Sequence, residues 1–409
     1  MVQSEKAPEL LAPVGDFERL QAAVRYGADA VYLGSTEFGM RAASANFGPE
    51  QLRQAVDYAH AHGVRVYLTC NTLPRSGEVR RMPEFLREAG ACGVDAFIVT
   101  DIGVLSLVKE VLPGAEIHIS TQTGIVNYRA AAEYHKLGAK RVVLARELSL
   151  AEIREIRENT PPELELEVFV HGAMCMSFSG RCLLSNYMTG RDANRGQCAQ
   201  PCRWNYCLVE EKRPGQYFPV FEDETGSYIL NAKDLCMLEH IGEVIEAGAD
   251  SLKIEGRAKS TYYVAAVTNA YRLALDGYLA DPAGWACPEW LSEEVRKVSH
   301  RDYSTGFFYG RPEQGQRVDN GGYIREWDVV AIADRWEDGV LYCTQKNKFC
   351  AGEPLELLEP GKRPETVTAD RLFGPDGQEM PDTRYASQPF SFRFGRPVAP
   401  GAILRKRAD

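Results

Sequence analysis

The sequence predicts an α/β protein: a (β/α)8 TIM-like barrel with a cysteine-rich insertion after strand seven, followed by a small C-terminal β-barrel domain. Three observations carry this expectation. Over residues 1–277, short β-branched runs alternate eight times with amphipathic helical stretches. The runs are almost continuously apolar, as strands of a parallel sheet covered on both faces must be. Helical stretches end at Gly27, Gly63, Gly93, Gly138 and Gly248, where a left-handed cap is least strained.

In order, the expected strands are ELLAP (9–13), DAVYLG (29–34), VRVYLTCN (64–71), VDAFIVTD (94–101), EIHISTQ (116–122), AKRVVLARE (139–147), LELEVFVHGA (164–173) and SLKIEGR (251–257). Six are followed directly by a helical stretch, from DFERLQAAVRYG to SLAEIREIREN. The seventh leads into the cysteine-rich segment, and its helix arrives late, as NAKDLCMLEHIGEVIEAG. The eighth precedes STYYVAAVTNAYRLALDG. Eight units in roughly 250 residues suit a closed barrel. A doubly wound open sheet is the alternative, but no glycine-rich phosphate turn follows the first strand. Residues 278–316 read as a connecting segment with anchors at Trp285, Cys287 and Trp290. Residues 317–409 then break into short strands between turns, including EWDVVAIAD, VLYCTQ and PFSFRFG, which is the pattern of a β-barrel domain.

The bulk composition, 44% hydrophobic and 25% charged over 409 residues, is that of a globular protein. No run of eighteen apolar residues predicts a membrane span, and the first residues lack the apolar core of a signal peptide. The expectation is therefore a cytoplasmic protein with no membrane partner, whose thiols stay reduced. Eleven cysteines, an odd number, also argue against a disulfide framework. The net charge of −10 argues against a non-specific nucleic-acid coat but leaves room for a local basic patch. Two stretches offer one: Arg181, Arg191, Arg195 and Arg203 against Asp192, and the C-terminal Arg393, Arg396, Arg405, Lys406 and Arg407.

Five cysteines fall between Cys175 and Cys207, within the segment 174–207. Cys175, Cys182, Cys198 and Cys202 are spaced C-x6-C-x15-C-x3-C among glycines, arginines and short polar residues. No ordinary core explains that gathering, and thiolates in such a loop are raw material for a metal site. Zinc ribbons use C-x2-C knuckles, which are missing here, so the spacing favours an iron–sulfur cluster over zinc. Gly172, Gly180 and Gly196 are expected to let backbone amides turn toward sulfur, and Met174, Met176, Phe178, Leu183 and Trp204 to exclude water. The remaining cysteines sit in apolar or mixed stretches and read as buried thiols.

EVFVHGAMCMSFSGRCLLS (167–185) resembles the signature of peptidase family U32, met here by Glu167, Phe169, Gly172, Ala173, Met174, Cys175, Gly180, Cys182 and Ser185. The resemblance extends to ELLAPVGDFERLQAAVRYGADAVYLG, HISTQTGIVN, RVVLARELSLAEI, YILNAKDL and SLKIEGRAKS, covering about residues 8–275. The last ninety or so residues resemble the family's C-terminal β-barrel. GRDANRGQCAQPCRWNY is most similar to the branch that hydroxylates the tRNA wobble uridine to 5-hydroxyuridine. That resemblance implies tRNA as partner, prephenate as co-substrate and a 4Fe-4S cluster on Cys175, Cys182, Cys198 and Cys202, with a related U32 subunit as a possible companion. Sister branches hydroxylate ribosomal RNA or a quinone precursor, and some place the fourth ligand further downstream, which makes Cys236 a rival to Cys202.

The family's older label is collagenase-like peptidase. No HExxH or GxSxG motif supports hydrolysis. A Cys175–His171 pair is conceivable as a nucleophile and base, but a lone nucleophile does not need three further cysteines.

Charged and amide residues recur where strands end: Asn71, Asp101, Gln122, Arg146, Glu147, His171, Glu255 and Arg257. On the C-terminal face of a barrel these converge on a pocket. Arg146 and Arg257 suit the two carboxylates of a prephenate-like acid. His171, Glu255 and Arg257 are the expected catalytic groups. Arg41, Asn71, Gln122 and Arg146 are expected to meet substrate, and Arg203 with Trp204 to stack an unpaired base.

Overall fold

The computed structural model describes residues 7–39, 46–175, 177–179, 181–204, 207–208, 218–219, 231–310, 316–317 and 323–408. Eight parallel strands form the barrel: β1 (Glu9–Pro13), β2 (Ala30–Gly34), β3 (Arg65–Cys70), β4 (Ala96–Val99), β5 (Glu116–Ile119), β6 (Arg141–Val143), β7 (Glu165–Ala173) and β8 (Ser251–Ile254). Each pairs with the next, and β8 closes the ring by pairing with both β7 and β1. Leu11, Ala30, Tyr32, Tyr67, Ala96 and Ile98 point inward and pack into a core of their own inside the barrel. The opposite strand faces pack on the helices in a much larger core.

Helix starts follow the local sequence. Asp16 Oδ1 accepts from the Arg19 amide at 2.9 Å to cap Phe17–Arg25. Ser149 and Glu152 form a reciprocal capping box on Leu150–Glu158. Asp101 caps Ile102–Val111 through the amides of Gly103 and Val104, so it serves the helix and not the pocket expected of it. The five expected capping glycines all have positive φ.

Two departures have non-local causes. The stretch expected to open a helix with KDLC instead forms a short strand, Asp234–Cys236, antiparallel to the end of β7, and the helix proper is Ile241–Glu246. The last residues of β7 outrun β6, and this segment covers them. Asp234 is held there by Arg301, Oδ1 to Nη2 at 2.6 Å, both buried. The connecting segment contains a helix, Glu289–Arg296, and a strand, Tyr303–Ser304, that joins the same sheet.

The C-terminal domain is a half-barrel, an eight-stranded antiparallel sheet around Leu341, Phe349, Leu357, Phe390, Phe392 and Leu404. The expected basic tail is its central strand: Ile403–Arg407 lies between Trp327–Glu337 and Pro354–Leu358. Arg405 is fully buried, 2.7 Å from both Glu294 and Glu356 and 2.9 Å from the Tyr262 hydroxyl. Arg396 pairs with Glu359 and Glu365, and Lys406 with Glu353. Arg405 thus docks the domain on the barrel, Arg396 and Lys406 balance acids within the domain, and Arg393 and Arg407 stay exposed.

Candidate active site

A cavity of roughly 160 Å³ sits over the C-terminal ends of the strands. Tyr32, Thr69, Ile98, Phe169 and Lys253 line it from the strands themselves. Asn71, Gln122, Arg146, Glu255 and Arg257 line it from just beyond strand ends. The insertion supplies Cys175, Cys182, Cys198 and Cys202 to the same cavity, with Leu184 and Ser185.

Arg257 is buried and reaches across β2 and β3, Nη2 to Asn46 Oδ1 at 2.7 Å and Nη1 to Thr69 Oγ1 at 3.3 Å. Gly34, ending β2, makes room: a Cβ there would overlap the guanidinium. Arg146 lies 4.4 Å over the Phe169 ring and donates to Ala173 O at 2.5 Å and Ser179 Oγ at 3.0 Å. It therefore joins β6 to the start of the insertion. Gln122 Oε1 accepts from Thr100 and Ser120 hydroxyls at 2.9 and 2.5 Å, which leaves its amide nitrogen as the end for a ligand.

The insertion begins where β7 is bent. Gly172 has φ 107°, and a Cβ there would stand 2.5 Å from Glu255 O, so only glycine fits. The insertion is then pinned to the barrel. Arg195 grips Glu78 at 2.5 and 3.1 Å, holding its carboxyl down at about 2, and Arg181 reaches Thr123 O at 3.4 Å. Within it, the buried Ser185 hydroxyl takes the Ala199 amide at 2.9 Å, tying the helix Leu184–Thr189 to the Cys198 turn.

The residues present fit an iron–sulfur cluster. Four thiols line one cavity, and two receive backbone N–H donors: Leu184 N to Cys182 Sγ and Gln200 N to Cys198 Sγ, each 3.4 Å. Such donors stabilise cluster thiolates. They come two residues after each cysteine; Gly180, one of the glycines expected to supply such amides, lies outside the described residues. Among the described residues, no three His, Cys, Asp or Glu side chains are close enough to hold one metal ion. What the four thiols share is the lining of one cavity, the arrangement that a cluster held by four thiolates requires.

Cys236 stands apart. It lines a different cavity with Arg296 and Tyr303, and burial pushes its thiol up to about 11. His171 is also absent from the thiol-lined cavity. Regular alternation would place it on the same face as Phe169. The β7–β8 register instead runs Phe169↔Lys253 and then His171↔Ile254, a bulge that turns His171 outward. It is buried against Tyr263, Tyr271 and Tyr303, with Nδ1 lacking a hydrogen-bond partner and Nε2 3.4 Å from the Tyr303 hydroxyl. The structure thus packs His171 among three tyrosines, outside the cavity in which an acid–base role was expected of it.

Burial pushes the His171 imidazole down to about 3. The unfolded chain binds its proton near pH 6.5 and the folded chain does not, so stability falls as pH drops through this interval. Unfolding free energy should lose about 1.4 kcal/mol per pH unit from this residue between about pH 6 and pH 4. Urea denaturation of His171→Leu protein should lack that component; an unchanged pH slope would place the titration elsewhere.

Glu147 is half-buried with its carboxyl pushed up by burial, and does not line the cavity. Trp204 is 43% exposed and lies outside it. Phe178 and Leu183, expected to exclude water, are exposed as well. Arg41 lies outside the described residues, as does the side chain of Arg203.

Lys253 is the lining residue that sequence reasoning passed over, although Lys253, Glu255 and Arg257 share one strand parity. Its ammonium is 2.6 Å from Glu167 Oε1 and 4.4 Å from the Tyr32 ring. Glu167 also meets Arg141 Nη1 at 3.0 Å, and Arg141 pairs with Glu9 and Glu165 at 2.6 Å each. A buried ion network therefore floors the cavity.

Fold and site together define a (β/α)8 protein with a thiol- and arginine-lined pocket at the catalytic end of its barrel. The chain belongs to peptidase family U32: the model for that family matches residues 15–317, and the model for the family's C-terminal domain matches residues 325–405. It is 38% identical over 406 residues to tRNA hydroxylation protein P1 of Bacillus subtilis (strain 168), covering 98% of this chain and 95% of that one. It is 42% identical over 374 residues to an uncharacterized protease of Methanocaldococcus jannaschii, covering 86% and 90%. It is 35% identical over 416 residues to tRNA hydroxylation protein P of Escherichia coli (strain K12), covering 91% of each. Among the described residues, no helix is long and apolar enough to cross a membrane.

Proposed function

We propose that this chain is a tRNA-hydroxylating enzyme that converts the wobble uridine to 5-hydroxyuridine with prephenate as co-substrate. The observation that carries the reading is the meeting of four thiols with Arg146 and Arg257 in one cavity. Similarity to two tRNA hydroxylation proteins along nearly the whole chain supports the substrate class. Cys175, Cys182, Cys198 and Cys202 would hold a 4Fe-4S cluster, which supplies one-electron chemistry when bound.

The chain's own residues bind and orient. Arg257 and Arg146, each oriented by its hydrogen bonds to the protein, bring two guanidinium charges to the cavity for a dicarboxylate. Gln122 and Asn71 add amide contacts, and Glu255 is the carboxylate placed to accept or return a proton. Arg41, Arg203 and Trp204 would meet the RNA. The peptidase reading loses its base, because His171 is packed away from the cavity that Cys175 lines.

The test is nucleoside mass spectrometry of tRNA from a strain lacking the gene. The wild-type gene should restore 5-hydroxyuridine derivatives, and Arg257→Lys should restore at least about tenfold less, since an ammonium cannot reproduce the fork. Unchanged derivatives in the deletion strain would remove the assignment.

A further inference from the structure

The insertion has a second, outward side. Its helix Leu184–Thr189 turns Leu184 and Ser185 to the cavity, while Tyr187 is 81%, Leu183 58% and Met188 49% exposed. Phe178 and Trp204, at either end of the segment, are 44% and 43% exposed. Among the described residues, five of the fifteen large exposed apolar side chains fall in this one short segment. They are concentrated within residues 178–204. The Tyr187 ring stacks on no other ring among the described residues.

The charge beside it is cationic on a chain of net charge −10. Arg181 and Arg191 are exposed there. The segment's one acid, Asp192, is engaged by Asn186 Nδ2 at 2.6 Å. Exposed planar side chains next to guanidinium groups match nucleic acid whose bases are unpaired, because the rings need open base faces and the cations need phosphates. A duplex offers only the second.

We infer that the outer face of Leu184–Thr189, with Phe178 and Trp204, is a docking platform for single-stranded RNA, and that Tyr187 is its principal stacking ring. The platform rests on the reading that RNA is the substrate, and it extends the RNA contact from Arg203 and Trp204 to Phe178, Leu183, Tyr187 and Met188. The same backbone carries the cavity's thiols, so bases seated outside are held next to the pocket.

The test is binding of an anticodon stem–loop RNA by full-length protein purified without oxygen, followed by fluorescence anisotropy. Tyr187→Ala/Met188→Ala should weaken binding about tenfold or more, and Tyr187→Phe should keep it, since a phenyl ring also stacks. A fully paired RNA of equal length should bind more weakly than the stem–loop. Iron content equal to that of the unsubstituted protein shows that the double variant has folded. Wild-type protein that does not bind the stem–loop, or a double variant that binds it undiminished, overturns the platform. A double variant that turns a dimer into monomers with RNA affinity intact also overturns it, in favour of a protein-docking face. Tyr187-dependent RNA binding by a protein that restores no modified nucleoside would sink the proposed reaction and leave the platform standing.

Discussion

Cys198→Ser protein purified without oxygen is expected to lose most of the iron and inorganic sulfide carried by the unsubstituted chain, and Cys236→Ser protein to keep both. Cys198 lines the cavity with Cys175, Cys182 and Cys202, and the Gln200 amide already points at its sulfur. Serine presents a hard, weakly acidic oxygen where a soft thiolate is needed. Cys236 lines another cavity, 4.0 Å from the Tyr271 hydroxyl, and burial holds it as a neutral thiol. Its replacement removes no donor from the four. Visible absorption, iron and sulfide would be measured on all three proteins, beside their thermal unfolding. Iron retained by Cys198→Ser, or lost from a folded Cys236→Ser, would assign the ligands wrongly. Zinc without sulfide in the unsubstituted protein would remove the cluster itself.

What the sequence disclosed was set by short-range pattern. Apolar runs mark all eight barrel strands and capping glycines precede five of them, since each signal lies within a few residues of the element it reports. The four cysteines, Arg146, Glu255 and Arg257 were legible because in a barrel residues after strand ends converge by topology alone. His171 was misplaced because position at a strand end does not reveal a bulge, and the bulge between β7 and β8 turns its side chain away from the cavity. The C-terminal arginines looked like a basic tail because their partners are remote: Glu294 and Glu356 stand 111 and 49 residues from Arg405. Gly34 carried no signal, since its reason for being glycine is a guanidinium arriving from β8's end. Lys253 did carry one. A lysine inside a buried strand, in phase with Glu255 and Arg257, needs a counter-charge or a ligand.

Glu167→Gln should destabilise the fold by about 3–5 kcal/mol, the range for a broken buried ion pair. Glu167 is fully buried, and its two oxygens hold Lys253 at 2.6 Å and Arg141 at 3.0 Å. Burial works against its charge, but Lys253 and then Arg141 outweigh it and hold the carboxyl at about 2. Its unfolded value is near 4.3, so the stabilisation is complete above that pH and is lost as pH falls toward 2, amounting to about 3 kcal/mol. The glutamine variant should lack this acid limb. Arg141 keeps Glu9 and Glu165, but Lys253 loses its direct partner, and burial already presses its ammonium below the ordinary lysine value. With that value lower still, the unfolded chain binds more protons than the folded one, so the variant's deficit should shrink as pH rises toward 10. Glu167→Gln/Lys253→Met removes the orphaned cation and should recover most of the lost stability in urea unfolding. A single variant within about 1 kcal/mol of the unsubstituted protein, or a double variant weaker than both singles, would show that the network is not what holds the barrel floor. Because Lys253 also lines the cavity, the double variant separates its two roles: restored stability with tRNA hydroxylation still missing would make the lysine a ligand-binding residue, and restored activity would make it purely a counter-ion.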